Sequence, residues 1–412
     1  MIYRDGDSWA ATPATPVVLS WGVRQSGPAV DASGFSAPFS VLTAAQIAAT
    51  EGALAAFADV GNVTFTQVAP GGTTDSATIL VGAYTSSSDG AGAYAWYPGS
   101  TADASADGDM WINNFWANTS DIPIGSYDYY IYLHELGHSM GLAHPGDYNA
   151  GGGGPITYQT SAQFVQDSQQ YSVMSYFLAT DTEPGAPTSY ADTLMMYDIY
   201  ALQELYGVNS ATRSGNDTYG FHATLGGAYD FTVNLDPLLC IWDGAGRDTL
   251  NLSGFGGRQI INLNDGTLSN VGGYTGNLSI AVGASIENAV GGLGRDQIIG
   301  NELGNLLRGG RGIDILIGAG GNDRLSGNLG ADRFVFADGC DRDRITDFNK
   351  TADRLGLSSD LWGGGVMTAA EVLAAFGTIN AGNLVLNFGG GDVVTLLHVS
   401  SLVGMADSIL IT

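Results

Sequence analysis

Positive charge is what this sequence has least of. Only 14 Lys and Arg residues stand against 41 Asp and Glu, giving a formal net charge of −27. A surface of that sign repels phosphate backbones and anionic headgroups. Nucleic acid and anionic membranes are thereby excluded as partners, and a chain that binds cations is favoured. Cysteine is almost as scarce. Cys240 and Cys340 are too few for a disulfide framework and read as two small buried hydrophobes. No run of 18 apolar residues occurs, so no segment reads as a membrane span. Met1–Trp9 lacks a basic stretch followed by an apolar core, so an exported chain would use a route other than a classical signal peptide. With 44% hydrophobic residues, wholesale disorder is excluded, and 412 residues suggest two or three domains. Glycine is what abounds, 61 residues without a collagen period.

The character of the chain changes near residue 209. Before it the pattern is mixed α/β. Val17–Val23 reads as an apolar strand, and Val63 with Phe65, Ile79 with Val81, Ala93–Tyr97 and Asp109–Asn113 as others. Thr43–Asp59 reads as a helix opened by a Thr43/Gln46 capping box, with Ile47, Leu54 and Ala58 along one face. Tyr127–Leu142 reads as a second helix ended near Gly141, and Asp192–Tyr206 as a third closed by Gly207. Gly151–Gly154 reads as a flexible loop. After Asn209 helix signals nearly vanish. Short apolar triplets alternate there with Gly, Asn and Asp.

Residues 134–145 read His-Glu-Leu-Gly-His-Ser-Met-Gly-Leu-Ala-His-Pro, and hold three of the five histidines of the chain. On a helix, His134 and His138 are one turn apart and face the same way. Gly141 permits the left-handed conformation that swings the chain back and brings His144 to the same ion. Three nitrogen ligands leave an open position for water, the arrangement of a catalytic rather than a structural zinc. Glu135 is placed to accept a proton from that water.

The glycines have their own order. From Gly291 the units GGLGRDQII, GNELGNLLR, GGRGIDILI, GAGGNDRLS and GNLGADRFV repeat with a period of nine. The eighth position is always apolar: Ile298, Leu307, Leu316, Leu325 and Phe334. The sixth is Asp296, Asn305, Asp314, Asp323 and Asp332, and an isolated unit runs from Asp243 to Asn251. This is the pattern of a parallel β-roll, in which Gly supplies the turn and Asp carboxylates with turn carbonyls cage Ca²⁺. Stacked aspartates repel one another without the cation, so the region is expected to be poorly folded in its absence. Beyond Val335 the pattern stops and ordinary β segments are expected.

The zinc motif resembles that of the metzincin metallopeptidases. Ser172-Val173-Met174-Ser175-Tyr176 is similar to their Met-turn, with Met174 beneath the metal. A Tyr two residues after that Met, together with His144-Pro145-Gly146-Asp147-Tyr148-Asn149, is similar to the serralysin family. The resemblance covers nearly the whole chain. It implies an α+β protein: a mixed α/β zinc-protease domain over 1–208, then an all-β calcium-binding β-roll and β-sandwich domain over 209–412. It implies that Tyr176 is a further zinc ligand that swings aside to stabilise the oxyanion. Ala93, Tyr94, Ala95 and Trp96 resemble the family's cleft-edge strand, which binds extended peptides. Asp198–Gly207 resembles the helix that closes the catalytic domain. Arg213, Gly215, Asp217, Asp243 and Asp248 would build one isolated calcium site, and Glu287 another.

The expected activity is a secreted endopeptidase with one catalytic Zn²⁺, several structural Ca²⁺ and Glu135 as general base. Its partners would be protein substrates and a proteinaceous inhibitor, and the default state a monomer. Asp407-Ser408-Ile409-Leu410-Ile411-Thr412 resembles the ending read by type I secretion in Gram-negative bacteria. There is little room for a propeptide before Val17, so a mature or a trimmed chain is expected. Two rival readings are a non-enzymatic calcium-binding adhesin and a zinc hydrolase of non-peptide substrates.

Overall fold

A computed structural model of the protein describes residues 7–27, 37–68, 76–88, 90–100, 106–149 and 155–412. The expected loop Gly151–Gly154 lies outside them. The chain forms two compact units. The first comprises Met1–Thr212 with Pro237–Gly244, and the second Arg213–Asp236 with Ala245–Thr412. The expected boundary at 208/209 therefore moves to 212/213, and a short excursion returns to the first unit.

The first unit is built on one sheet. Its strands are β1 (Val17–Val23), β2 (Phe39–Ser40), β3 (Val63–Gln67), β4 (Ile79–Tyr84), β5 (Ala93–Ala95) and β6 (Met110–Asn113), in the order β3-β1-β4-β6-β5 with β2 pairing β4. The first four of that order run parallel and β5 is antiparallel to β6. All of β4 and β6 is buried, as expected of central strands.

Helix α1 (Ala44–Val60) opens on the expected Thr43/Gln46 capping box. Its inward face is rotated from the expected one. Gln46, Ala49, Thr50, Ala53, Leu54, Phe57 and Val60 are buried, whereas Ile47 and Ala58 are only half-buried. The Gln46 amide turns inward because it donates to Asn114 Oδ1 at 2.8 Å.

Helix α2 (Tyr127–Ser139) starts on Ser126, whose hydroxyl accepts the Tyr129 amide, and is buried from Tyr129 onward. It ends three residues earlier than expected, in a Schellman motif. The Leu142 amide donates to Gly137 O at 2.8 Å and the Gly141 amide to His138 O at 2.9 Å. Gly141 has φ +91°, and a Cβ there would lie 2.0 Å from Asp7 O, so only glycine fits.

Single-turn helices α3 (Tyr158–Ser161) and α4 (Ala179–Thr182) precede α5 (Met196–Tyr206). Residues 192–195 were expected to be helical. They stay outside the helix, with a bend at residues 192 and 193, where the Asp192 amide donates to Leu238 O and the Cys240 amide to Thr193 Oγ1. These bonds tie them to the excursion, which carries β8 (Leu239–Ile241).

The second unit is a stack of short strands on two long sheets, with β11 (Leu268–Ser269) and β12 (Leu278–Ile280) as a separate antiparallel pair. One sheet is parallel throughout: β10 (Ile260–Asn262), β14 (Gln297–Ile299), β16 (Ile315–Ile317), β18 (Arg333–Phe336), β20 (Arg354–Leu357) and β24 (Ile409–Ile411). The other runs through β7 (Thr218–Gly220), β9 (Thr249–Asn251), β13 (Asn288–Val290), β15 (Leu306–Gly312), β17 (Arg324–Gly330), β19 (Arg342–Ile345) and β23 (Asp392–Leu396). It ends on the antiparallel pair β22 (Asn383–Gly389) and β21 (Gly377–Asn380).

Successive nonapeptides alternate between the two sheets, so each full turn consumes 18 residues. The eighth positions stack in two inward columns. Ile298, Leu316 and Phe334 are register partners in one, and Leu307 and Leu325 in the other, all fully buried. Full burial of each such side chain contributes about 1.5–3 kcal/mol.

Two expectations need correction here. The roll does not stop at Val335: Ile345 and Leu355 extend the columns on parallel strands. The spacing lengthens to 20 and 21 residues there, which hid the continuation from a nine-residue count. Nor is the unit all-β, since α6 (Ala369–Phe376) carries a Thr368/Glu371 capping box.

Candidate metal centre

The three imidazoles meet where the spacing predicted. His144 Nε2 lies 3.1 Å from His134 Nε2 and 3.1 Å from His138 Nε2. Each of the other ring nitrogens faces a backbone carbonyl at 2.8 Å: His134 Nδ1 faces Val173 O, His138 Nδ1 faces Leu142 O and His144 Nδ1 faces Tyr148 O. A carbonyl can only accept, so every Nδ1 carries its proton and every Nε2 turns a lone pair to the common point. Three nitrogens so spaced suit one ion at the ~2.0–2.1 Å Zn–N distance. Burial, with His144 beside it, lowers the His134 pKa to about 3 and keeps its ring neutral. The donor set therefore fits zinc.

Glu135 sits one residue on, buried, and burial pushes its pKa up to about 8. The Tyr176 ring stands 4.5 Å from that of His144 and 5.5 Å from that of His134, centroid to centroid. Met174 is fully buried under α2, and a Cβ on Gly137 would meet its Sδ at 2.4 Å. The Met174 side chain can approach the helix between His134 and His138 only because residue 137 is glycine. Ala93, Tyr94 and Ala95 form β5, the last strand in the order of its sheet, and Trp96 follows it. Tyr97, just beyond, packs on His138 with centroids 5.0 Å apart. This brings the edge strand to the imidazole cage.

Sequence reasoning missed the groups that brace this centre. Asp198 on α5 accepts from Ser172 Oγ at 2.6 Å and from the Val173 and Met195 amides. Its carboxyl pins the Met-turn segment, and burial raises its pKa to about 6. Asp167 accepts the hydroxyls of Tyr148 and Ser175 at 2.8 and 2.7 Å, so it joins the His144 loop to the same segment. Tyr130 donates its hydroxyl to Ser175 O at 2.8 Å and lies 3.1 Å from His134 Nδ1. A lone Asp or Tyr carries no motif, so only its i−4 spacing from His134 could have marked Tyr130.

The repeat carboxylates form ladders across the roll. Asp296 Oδ1 accepts the Gln259 amide, Asp314 Oδ1 that of Asp296, and Asp332 Oδ1 that of Asp314, at 2.7–3.0 Å. On the other side Asp323 Oδ1 accepts the Asn305 amide. Asp343 and Asp353, both missed by the nine-residue count, continue the two ladders by accepting from Asp323 and Asp332. The second oxygens of Asp314, Asp323 and Asp343 are buried without a partner. Desolvation raises these carboxyls to about 7, 7 and 8. Buried carboxylate oxygens left over in stacked turns are what a hard cation requires, so these residues fit calcium.

In the isolated unit the Asp217 amide donates to Asp248 Oδ1 at 2.6 Å, and the Asp248 amide to Glu287 Oε2 at 2.7 Å. A Cβ on Gly246 would lie 1.8 Å from Gly215 O, and Arg213 takes φ +48°. Asp243 belongs to the excursion that groups with the first unit.

A buried helix that presents two histidines and a carboxylate, a third histidine after a glycine turn, and a methionine beneath them define a metallopeptidase. The comparisons make the class narrower. Residues 208–407 match the family model Peptidase M10 serralysin C terminal. The chain is 42% identical to Metallopeptidase AprA of Pseudomonas marginalis over 100% of its own length and 86% of that protein. It is 39% identical to Metalloprotease AprA of Pseudomonas entomophila over 74% of its length and 64% of the relative. With Serralysin B of Dickeya chrysanthemi the identity is 39% over 62% of the chain and 53% of the relative. The chain belongs to the serralysin family of metalloendopeptidases.

Proposed function

We propose that this chain is a secreted zinc endopeptidase that cleaves protein substrates, with Glu135 as the general base. The observation that carries the proposal is the convergence of three proton-defined Nε2 atoms next to a buried carboxylate. Zinc bound by His134, His138 and His144 supplies Lewis acidity and a water whose pKa falls towards ~7. Glu135 accepts the proton of the attacking water and returns it to the leaving amine. The Tyr176 hydroxyl donates to the carbonyl oxygen as negative charge builds there. The edge of β5 aligns an extended substrate through main-chain hydrogen bonds. Calcium would be held by the repeat carboxylates Asp296, Asp314, Asp323 and Asp332, and by Arg213, Gly215, Asp217, Asp243, Asp248 and Glu287 at the isolated unit. Asp343 and Asp353 join that set through their ladder positions.

No helix among the described residues is long and apolar enough to cross a membrane. Export through a type I route fits the family and the acidic-then-apolar ending, which forms β24.

Glu135→Gln tests the mechanism. Casein hydrolysis is expected to fall roughly 10²–10⁴-fold, while bound zinc, measured by ICP mass spectrometry, stays at one equivalent. Full cleavage by that variant removes Glu135 from the mechanism. Calcium without zinc, and no cleavage after zinc is added back, would favour the adhesin reading.

A further inference from the structure

The last turn of α2 and the loop after it carry the chain from His138 to His144. The carbonyls at such a helix end have no partner within the helix. Two of them are satisfied locally. Gly137 O accepts the Leu142 amide at 2.8 Å and His138 O the Gly141 amide at 2.9 Å. The next two are satisfied from far along the chain. Ser139 O accepts the Trp9 indole N–H at 2.8 Å, and Met140 O accepts the Tyr206 hydroxyl at 2.8 Å. Ser8 and the Trp9 backbone flank that same hydroxyl. Leu142 O lies 2.8 Å from His138 Nδ1, so the turn also sets the direction of that ring.

Two glycines leave the space that residues 7–9 fill. A Cβ on Gly141 would collide with Asp7 O, and one on Gly108 would lie 2.6 Å from Trp9 Cζ2. Both glycines take positive φ, +91° and +80°. Trp9 itself is only half-buried, so its ring adds less to the core than a buried Trp does. What it supplies is a directed donor to one carbonyl, 130 residues away in sequence.

We infer that Trp9 is a positioning residue of the metal centre, and that residues 7–9 clamp the turn between His138 and His144. The inference rests on the reading of the three histidines as zinc ligands. Ser139 is fully buried, so losing the indole leaves its carbonyl unsatisfied, a cost that other conformations of the turn avoid. Each such conformation takes His138 and His144 out of register. The apparent metal affinity then falls with the fraction of chains that keep the turn.

Trp9→Phe keeps a ring and removes the N–H. Zinc affinity of the full chain in calcium buffer, read by competition with a chromophoric chelator, is expected to fall about fivefold or more. The visible spectrum of the cobalt-loaded variant should differ from that of the wild type, because it reports the geometry of the ligands. In the metal-free protein, amide exchange over residues 137–144 should quicken. Val63→Ala is the control. Val63 is buried on β3, at the opposite end of the sheet order from β5, and its truncation lowers the melting temperature without touching the turn. Zinc affinity and cobalt spectrum should stay as in the wild type there. Unchanged zinc affinity with an unchanged cobalt spectrum in Trp9→Phe overturns the proposal. So does an equal fall in affinity in Val63→Ala, because Trp9 would then act through general stability alone. A wild type that takes up no zinc overturns the zinc reading and the clamp with it, whereas a zinc-binding wild type beside an unaffected variant overturns the clamp alone.

Discussion

Tyr130 occupies the turn before His134 on α2, and its hydroxyl has two duties. It donates to Ser175 O at 2.8 Å, and its oxygen lies 3.1 Å from His134 Nδ1, whose proton is shared with Val173 O. The ring is packed against Tyr190 with centroids 5.2 Å apart, so the hydroxyl is held in place rather than free to swing. Ser175 immediately precedes Tyr176. One hydroxyl therefore couples the orientation of the His134 ring, a proposed zinc ligand, to the position of Tyr176, the proposed donor to the substrate carbonyl. Tyr130→Phe keeps the ring and removes the coupling. Outer partners of ligating histidines are typically worth 10–100-fold in metal affinity or activity, and zinc affinity, measured by competition with a chromophoric chelator, should fall about tenfold or more. The same variant should lower kcat more than it raises KM. Unchanged zinc affinity with unchanged kcat would show that the hydroxyl merely fills space.

At the scale of elements, what holds the second unit together is the inward columns. Leu316 on β16 is fully buried between Ile298 and Phe334 in register. Leu316→Ala leaves a cavity in a thin core that cannot collapse around it, so the unit should lose about 2–5 kcal/mol. Urea unfolding of the calcium-loaded protein, followed by far-UV circular dichroism, measures this, and zinc content should not change. These columns were legible in the sequence because the eighth residue of each unit recurs at one spacing of nine. The helix α2 and its histidine cluster were legible for the same reason: 134, 138 and 144 are local, and Gly141 marks the turn. What was hidden depends on distant partners. Residues 192–195 resemble the start of a helix, yet hydrogen bonds to Leu238 and Cys240 hold them outside it. Asp167 and Asp198 carry no motif and act only because three loops converge on them. Asp343 and Asp353 fell out of view when the turn grew from 18 to 20 and 21 residues.

At the scale of the whole chain, the excess of acid is a means of making folding conditional. In the second unit the ladder carboxyls of Asp314, Asp323 and Asp343 are raised to about 7, 7 and 8, chiefly because burial disfavours their charged form. In the unfolded chain they lose their protons near the ordinary Asp value of ~3.9. Between that value and about 8 the folded, calcium-free state thus holds more protons than the unfolded one. Stability must fall as pH rises through that window, since it increases with pH only where the unfolded state binds more protons. Calcium reverses the sign, because a bound cation favours the ionised carboxylate and competes with the proton. In calcium-depleted buffer the β-roll should therefore melt at a higher temperature near pH 5 than near pH 8. With millimolar calcium the order should invert. Thermal scans by far-UV circular dichroism on one preparation, at both pH values with and without calcium, decide the matter. A calcium-free midpoint that rises with pH would mean that the ladder carboxylates are stabilised by the fold itself. The unit would then need no cation to form, and export into a calcium-rich medium could not be what triggers its folding.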